Sequence, residues 1–235
     1  MMHPVVDVII PALNEEQSIG LVIDAIPREV VRSIYVCDNG SQDATVEVSK
    51  AHGATVLHAK QRGYGSACKT GIQHLIELGP NSYPDILVFM DGDYSDYPEE
   101  LLKLLEPFQD SDIDLVIGSR VKGNPEAGSL GLIQRFGNVL ACFLIKLLYK
   151  YEFSDLGPFR AIRFDKLLEL KMEDPDYGWT VEMQIKAARS KMKFGEVPVS
   201  YRKRIGKSKI SGTIKGIFGA ASKILLTIFK TYVKG

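Results

Sequence analysis

The chain is poor in cysteine and has no cysteine pattern. Cys37, Cys68 and Cys142 are odd in number and lie at neither disulfide-framework nor zinc-site spacing, so reduced thiols and a cytoplasmic setting are expected. Long apolar runs are also missing: the best candidates are broken by Lys146, Lys223 and Lys230. That pattern predicts a chain that lies on a membrane without crossing it. No secretory leader is expected, because strand-like sequence already starts at Val5. His3, His52, His58 and His74 have no serine or cysteine partner at a recognisable spacing, which leaves solvated or packed histidines. With no low-complexity linker and no internal repeat, a single α/β domain within the 235 residues is the default reading.

Net charge is zero, but its distribution is lopsided. Residues 189–235 carry 12 lysines or arginines against one acidic residue, Glu196. A cationic C-terminal fifth predicts an anionic partner, either phosphate groups or an anionic membrane surface. Nucleic acid is not expected, since no DNA- or RNA-binding motif accompanies the basic residues and they are mixed with apolar ones.

Short β-branched runs at Val5–Ile10, Ile34–Cys37, Ala54–Leu57 and Ile86–Met90 alternate with amphipathic stretches near Glu15–Ala25, Asp43–Ala51 and Gly65–Glu77. This alternation predicts βαβ units, a mostly parallel sheet and right-handed crossovers. Ligands of such sheets bind at the carboxyl ends of the strands. Four polar clusters follow the four runs: Pro11–Glu15, Asp38–Asp43, Lys60–Gly65 and Asp91-Gly92-Asp93. They should converge on one rim. Asp91 and Asp93, one residue apart after a buried strand, can hold a hard divalent cation and leave positions open for a diphosphate.

Two phosphate motifs are set aside. Gly63-Tyr64-Gly65 opens a Gly-x-Gly-x-x-Gly whose last position is Cys68 and which follows the third strand, against the dinucleotide pattern. Gly206-Lys207-Ser208 has Tyr201 where a phosphate-binding loop requires its first glycine.

In order along the chain, Val-Ile-Ile-Pro-Ala-Leu-Asn-Glu-Glu, Asp-Asn-Gly-Ser-Gln-Asp-Ala-Thr, Arg-Gly-Tyr-Gly-Ser-Ala, Asp-Gly-Asp and Ile-Gly-Ser-Arg resemble the family 2 glycosyltransferases. The later Asp-Leu-Gly-Pro-Phe-Arg-Ala and Gly-Lys-Ser-Lys look like the branch of polyprenyl-phosphate (dolichyl-phosphate) mannose and glucose synthases. The resemblance implies a nucleotide-diphospho-sugar transferase fold of GT-A type. It implies that Pro11, Leu13 and Glu15 hold the base and ribose, that Asp38 accepts hydrogen bonds from the base, and that Gly63 and Gly65 let the backbone approach the nucleotide. Asp91 and Asp93 are implied to bind Mg²⁺ or Mn²⁺. Arg120, Arg135 and Arg160 are implied to face the donor diphosphate or an acceptor phosphate, with Arg202, Arg204 and Lys207 closing from a mobile loop. Ser95 replaces the Gln or His usual two residues after the second carboxylate, and Gly157-Pro158 replaces a common Ser-Gly. Trp179 and Glu182 read either as acceptor-pocket lining or as core.

The activity so implied is inverting, metal-dependent transfer of a hexose from a nucleotide sugar, UDP-glucose ahead of GDP-mannose, to polyprenyl phosphate on the cytoplasmic membrane face. A phosphate acceptor needs no general base; an alcohol acceptor would, and Glu182 or Asp155 are the candidates. Alternatives are a soluble acceptor, or an inactive nucleotide-sugar-binding module. Residues 1–211 are expected to form the catalytic domain and 212–235 an amphipathic helix, interfacial or an oligomer contact. Leu132–Tyr149 carries a similar apolar stripe, read either as core or dimer contact or as membrane contact.

Overall fold

A computed structural model describes residues 4–206 and 214–233. Seven strands form one mixed sheet in the order β3-β2-β1-β4-β6-β5-β7. β1 (Val6–Ala12), β2 (Ser33–Asp38), β3 (Thr55–His58) and β4 (Ile86–Phe89) are parallel. β5 (Leu115–Ser119) and β7 (Phe194–Pro198) pair in parallel with each other, and β6 (Arg160–Arg163) runs antiparallel between β4 and β5. The expected mostly parallel α/β sheet is thus present, with one reversed strand that its four-residue length concealed.

The apolar runs form strands because both faces of the sheet are covered. Successive residues of β1 alternate between two cores: Ile9 joins Leu87, Phe89 and Ile117 on one face, and Val8 and Ile10 join Val36, Val88 and Leu104 on the other. α1 (Ile19–Ala25) begins later than the sequence predicts, because Glu15 to Ser18 form a turn in which the Glu15 carbonyl accepts from Ser18 and Ile19. α2 (Thr45–Ala51) begins after Asp43, whose carboxylate takes the Thr45 N–H at 3.0 Å. α3 is Tyr64–Glu77, α4 Leu101–Leu105, α5 Leu132–Tyr149, α6 Phe164–Leu170, α7 Trp179–Arg189 and α8 Ile214–Val233.

From β1 the chain moves outward to β2 and β3, then returns to place β4 on the opposite side of β1. The strand order therefore reverses at the carboxyl ends of β1 and β4, the crevice where such folds bind ligands.

α5 and α8 differ from ordinary surface helices. α5 buries Ala141, Cys142 and Ile145 but exposes Leu132, Ile133, Phe136, Val139, Phe143 and Leu147. By length and a mean hydropathy of 1.4 it falls in the range of helices that cross a membrane, and 17% of it is buried, while Arg135 and Lys146 interrupt its apolar run. α8 packs on α5 and α7 through fully buried Ile228, whose carbonyl accepts from Tyr149 Oη at 2.7 Å, while Leu226, Phe229 and Tyr232 stay exposed. The boundary expected at residue 212 lies outside the described residues.

Candidate active site

β4 delivers Asp91 and Asp93 to the crevice. Tyr64 Oη donates to Asp91 Oδ1 at 3.1 Å, and Ser95 donates its N–H and hydroxyl to Asp93 Oδ1 at 2.9 and 2.5 Å. Ser95 is fully buried, so it orients Asp93. Burial first, and the neighbouring Asp93 charge second, push the Asp91 carboxyl up to about 7 against the opposing pull of Tyr64, Arg204 and Arg120. Asp96, which the sequence reading missed, is buried close behind with neither carboxylate oxygen in a well-formed hydrogen bond. Burial, then Asp91 and Asp93, hold its carboxyl well above the usual range. Negative charge is crowded here and short of counter-charge, which is the condition a divalent cation relieves. Among the described residues no group of three or more Asp, Glu, His or Cys is arranged around one metal position, so the protein's own contribution would be the Asp91–Asp93 pair.

The segment after β7 supplies the cations. Arg204 reaches Asp93 Oδ2 at 3.2 Å and Glu15 Oε1 at 3.0 Å, joining the two strand-end loops. Arg202 is placed differently from expectation. Its guanidinium carbon lies 3.7 Å from the ring centroids of both Tyr94 and Tyr97, and it donates to the Asp96 carbonyl at 3.1 Å. It anchors the segment to the acidic loop instead of presenting itself to a phosphate. Backbone bonds from Arg202 to Ser95 and from Ile205 to Asp93 continue that seam. Lys207 lies outside the described residues.

Pro11, Leu13 and Glu15 line a cleft of about 400 Å³ together with Asn39, Arg62, Asp91, Gly92, Asp93 and Arg204. Asp38 does not line it. Burial raises its carboxyl, but the Ser41 hydrogen bonds, His58 and Gly40 outweigh that and leave it below the usual range. Its oxygens are spent on the Gly40–Ser41 turn, at 3.2 and 3.0 Å. Its neighbour Asn39 instead reaches the crevice and clasps Gly63 through N–H and carbonyl, both at 2.9 Å.

Gly63 and Gly65 make room for protein as well as for any ligand. A Cβ at Gly63, where φ is +130°, would lie 2.2 Å from the Pro175 carbonyl oxygen, and one at Gly65 would lie 2.1 Å from that of Asp174. The loop of residues 173–178 thus lies against the start of α3, and Asp176 and Tyr177 from it form the remaining cleft wall beside Tyr64.

The remaining expectations separate. Arg120 is held by Asp155 through its backbone N–H (2.8 Å), Nε (2.8 Å) and a terminal nitrogen (2.7 Å), behind the acidic cluster. Arg160 is fully buried and donates to the carbonyls of Leu156, Gly157 and Thr180; burial pulls its pKa down to about 10, and no phosphate can reach it without rearrangement. Trp179 is core, edge-on to Phe89 at 6.2 Å. Glu182 is buried and accepts from the N–H groups of Glu173 and Asp174 at 3.0 and 2.8 Å. Arg135 is exposed in the first turn of α5. A larger groove of about 640 Å³ between β3 and α3 contains none of the strand-end carboxylates.

The sequence and the fold have counterparts. The family described as "Glycosyl transferase family 2" matches residues 7–170. An uncharacterised glycosyltransferase of Mycobacterium tuberculosis is 35% identical over 218 residues, 92% of this chain and 94% of the relative. The undecaprenyl-phosphate mannosyltransferase of Micrococcus luteus is 33% identical over 227 residues, 88% of each chain. The crystal structure of glucosyl-3-phosphoglycerate synthase from Mycobacterium tuberculosis with Mn²⁺, UDP and glucosyl-3-phosphoglycerate shares the fold, at a TM-score of 0.75 and 22% identity over 98% of this chain and 80% of that one. The carboxylate pair at the topological switch point therefore sits in a GT-A fold, and the chain belongs to the family 2 glycosyltransferases.

Proposed function

We propose that this glycosyltransferase moves a hexose from a nucleotide-diphosphate sugar, UDP-glucose ahead of GDP-mannose, to a polyprenyl phosphate at the cytoplasmic face of a membrane. The observation that carries the acceptor reading is α5. This helix follows the segment leaving the carboxyl end of β5, exposes a row of large apolar side chains, and is tied through Asn138 to Ser154 and Leu156, on either side of the Asp155 that holds Arg120. A lipid-facing surface is thereby joined to a fixed cation beside the acidic cluster. The Micrococcus luteus relative, named for an undecaprenyl-phosphate acceptor, supports the same reading.

The chemistry agrees. A phosphate monoester has its second pKa near ~6 and is already an anionic nucleophile at neutral pH. An alcohol would need a base, and both carboxylates expected for that task are occupied: Asp155 by Arg120, and Glu182 by the Glu173–Asp174 backbone and Lys186 at 2.8 Å. Asp91 and Asp93 would hold Mg²⁺ or Mn²⁺, which when bound neutralises the leaving diphosphate. Pro11, Leu13 and Glu15 would receive the base and ribose, and Arg204 the phosphates. Arg120 and Arg135 would lower the repulsion between the two phosphate-bearing substrates. Direct displacement inverts the anomeric carbon.

The test is incubation of the full chain with UDP-glucose or GDP-mannose, Mn²⁺ and undecaprenyl phosphate, with lipid products weighed by mass spectrometry. A glycosyl-phosphoprenol is expected, with inversion at the anomeric carbon read from its proton coupling constant by NMR. Transfer only to water-soluble alcohols would move the assignment to a soluble acceptor, and donor binding without transfer to either would leave a binding module.

A further inference from the structure

The loop between α6 and α7 is built with unusual care for a connection. Glu182 receives two of its N–H groups, Asp174 Oδ1 accepts from the N–H groups of Asp176 and Gly178 at 2.8 and 3.2 Å, and Asp174 Oδ2 meets Lys223 of α8 at 3.1 Å. Ser66 in α3 donates its N–H to the Pro175 carbonyl at 2.8 Å, and Lys69 donates to the Glu173 carbonyl at 3.0 Å. The backbone is consequently fixed from three helices, and two glycines are held without side chains to admit it. What this places on the cleft wall is Asp176 and Tyr177.

We infer that the 173–178 loop reads the sugar of the donor: Asp176 accepts hydrogen bonds from hydroxyl groups of the transferred hexose, and Tyr177 lies along its apolar face. The inference rests on the nucleotide-sugar reading above. With Pro11, Leu13 and Glu15 proposed for base and ribose and Asp91, Asp93 and Arg204 for the diphosphate, the hexose of the donor is left for the other residues lining the same cleft, Asp176 and Tyr177 among them. A carboxylate accepts at about four positions, more than the neighbouring Tyr64 and Tyr177 N–H groups can use. Vicinal hydroxyls suit the rest. With Tyr64 and Tyr177 beside it, the wall pairs an acceptor with aromatic surface, the combination a hexose needs for its polar edge and its C–H face.

The competing reading is that Asp176 only caps α3 at its N-terminus, where an acidic group is favourable. Asp176→Asn separates the two, because asparagine caps about as well as aspartate but is a weaker acceptor of hydroxyl protons. Titration calorimetry with the full chain and Mn²⁺ would compare UDP with UDP-glucose, UDP-galactose and UDP-N-acetylglucosamine. In D176N the affinity spread among the sugars should shrink by about tenfold or more while UDP binding stays within about twofold. Tyr177→Ala should weaken every UDP-sugar relative to UDP by several-fold, on the order of one lost aromatic contact. A D176N chain that keeps the wild-type spread, or that weakens UDP and UDP-sugars equally, overturns the inference in favour of the cap. Loss of transfer to an alcohol acceptor with the spread intact also overturns it and makes Asp176 a base. A wild-type chain that binds neither UDP, GDP nor a sugar of either nucleotide removes the donor reading itself.

Discussion

The cleft is lined both by the residues that follow strand ends and by the 173–178 loop, and the strand ends and the surrounding loops use charged residues in different ways. At the strand ends, Asp91, Asp93 and Glu15 project from β4 and β1 into the crevice, and their charge is only partly compensated. Around the loops that flank the cleft, the buried Arg160 of β6 and Glu182 of α7, and Arg202 after β7, are spent on loop carbonyls, loop N–H groups and tyrosine rings. A strand of a covered parallel sheet must surface at its end, so a carboxylate there has few partners other than ligand or solvent. A connection without a sheet ladder has to satisfy its backbone by other means, and buried charged side chains are effective partners for it.

The largest expected effect tests the strand ends. Asp91→Asn and Asp93→Asn should each lower transfer by about 10³-fold or more, because a site for developing phosphate charge is removed. Stability should change by less than ~1 kcal/mol, since an amide relieves the crowding that holds the Asp91 carboxyl near 7. Steady-state rates with thermal melts are the measurement. Transfer at the wild-type rate in excess chelator would remove the metal from the reading.

The next effect concerns the apolar surface that extends away from the cleft. Phe136 and Phe143 are 69% and 58% exposed on α5, and immersing such a side chain in an apolar phase is worth about 1.5–3 kcal/mol. Replacing both with serine should lower flotation with anionic vesicles by at least about tenfold. Should vesicle binding persist while a wild-type dimer becomes monomeric in light scattering, the face is an oligomer contact.

What could be read in advance follows the same division. β1 to β4 were legible because each is a short β-branched run closed by turn residues, and α5 and α8 because apolar residues recur at helical spacing over 18 and 20 residues. Asp91, Asp93, Pro11, Leu13 and Glu15 reach one cleft because topology alone brings strand ends together. Arg160 could not be placed from sequence: its burial depends on the reversed strand β6, whose register sets it beside Phe89. Gly63 and Gly65 were legible as positions of close approach, but whether ligand or loop approaches depends on residues more than 100 positions further along. Asp176 gives no signal of its own, because an Asp-Pro-Asp connection reads as a turn.

A third prediction would break the comparison by disturbing the 173–178 loop without touching a charge. Gly65→Ala sets a methyl 2.1 Å from the Asp174 carbonyl oxygen, and the loop must retreat at a cost of about 1–3 kcal/mol. Gly137→Ala in α5 meets nothing within 4 Å and should stabilise by about 1 kcal/mol. Chemical denaturation of the pair checks both signs. Equal stability for the two variants would mean that the loop is not seated on α3 in solution.

The smallest net effect is expected at Arg204, where two changes oppose each other. Its guanidinium occupies Asp93 Oδ2 and Glu15 Oε1 at 3.2 and 3.0 Å, so it acts as the counter-charge of the carboxylates in the absence of a cation. A divalent ion settling on Asp91 and Asp93 must share or displace it, and a donor diphosphate gives the freed guanidinium a new partner. Arg204→Gln should therefore move two affinities in opposite directions. Mn²⁺ alone, followed by electron paramagnetic resonance, should bind more tightly, by several-fold, because a counter-charge competing for Asp93 is removed. UDP in the presence of Mn²⁺ should bind more weakly, since a charge-assisted hydrogen bond of about 1.5–3 kcal/mol is lost. Loss of both affinities would show that Arg204 is part of the scaffold holding Asp93, like Arg202 beside it, and would extend the loops' mode of using charge across the whole segment. A gain for the metal with a loss for the nucleotide would place the division between the two modes within two residues, between an arginine fixed by tyrosines and one poised between carboxylates.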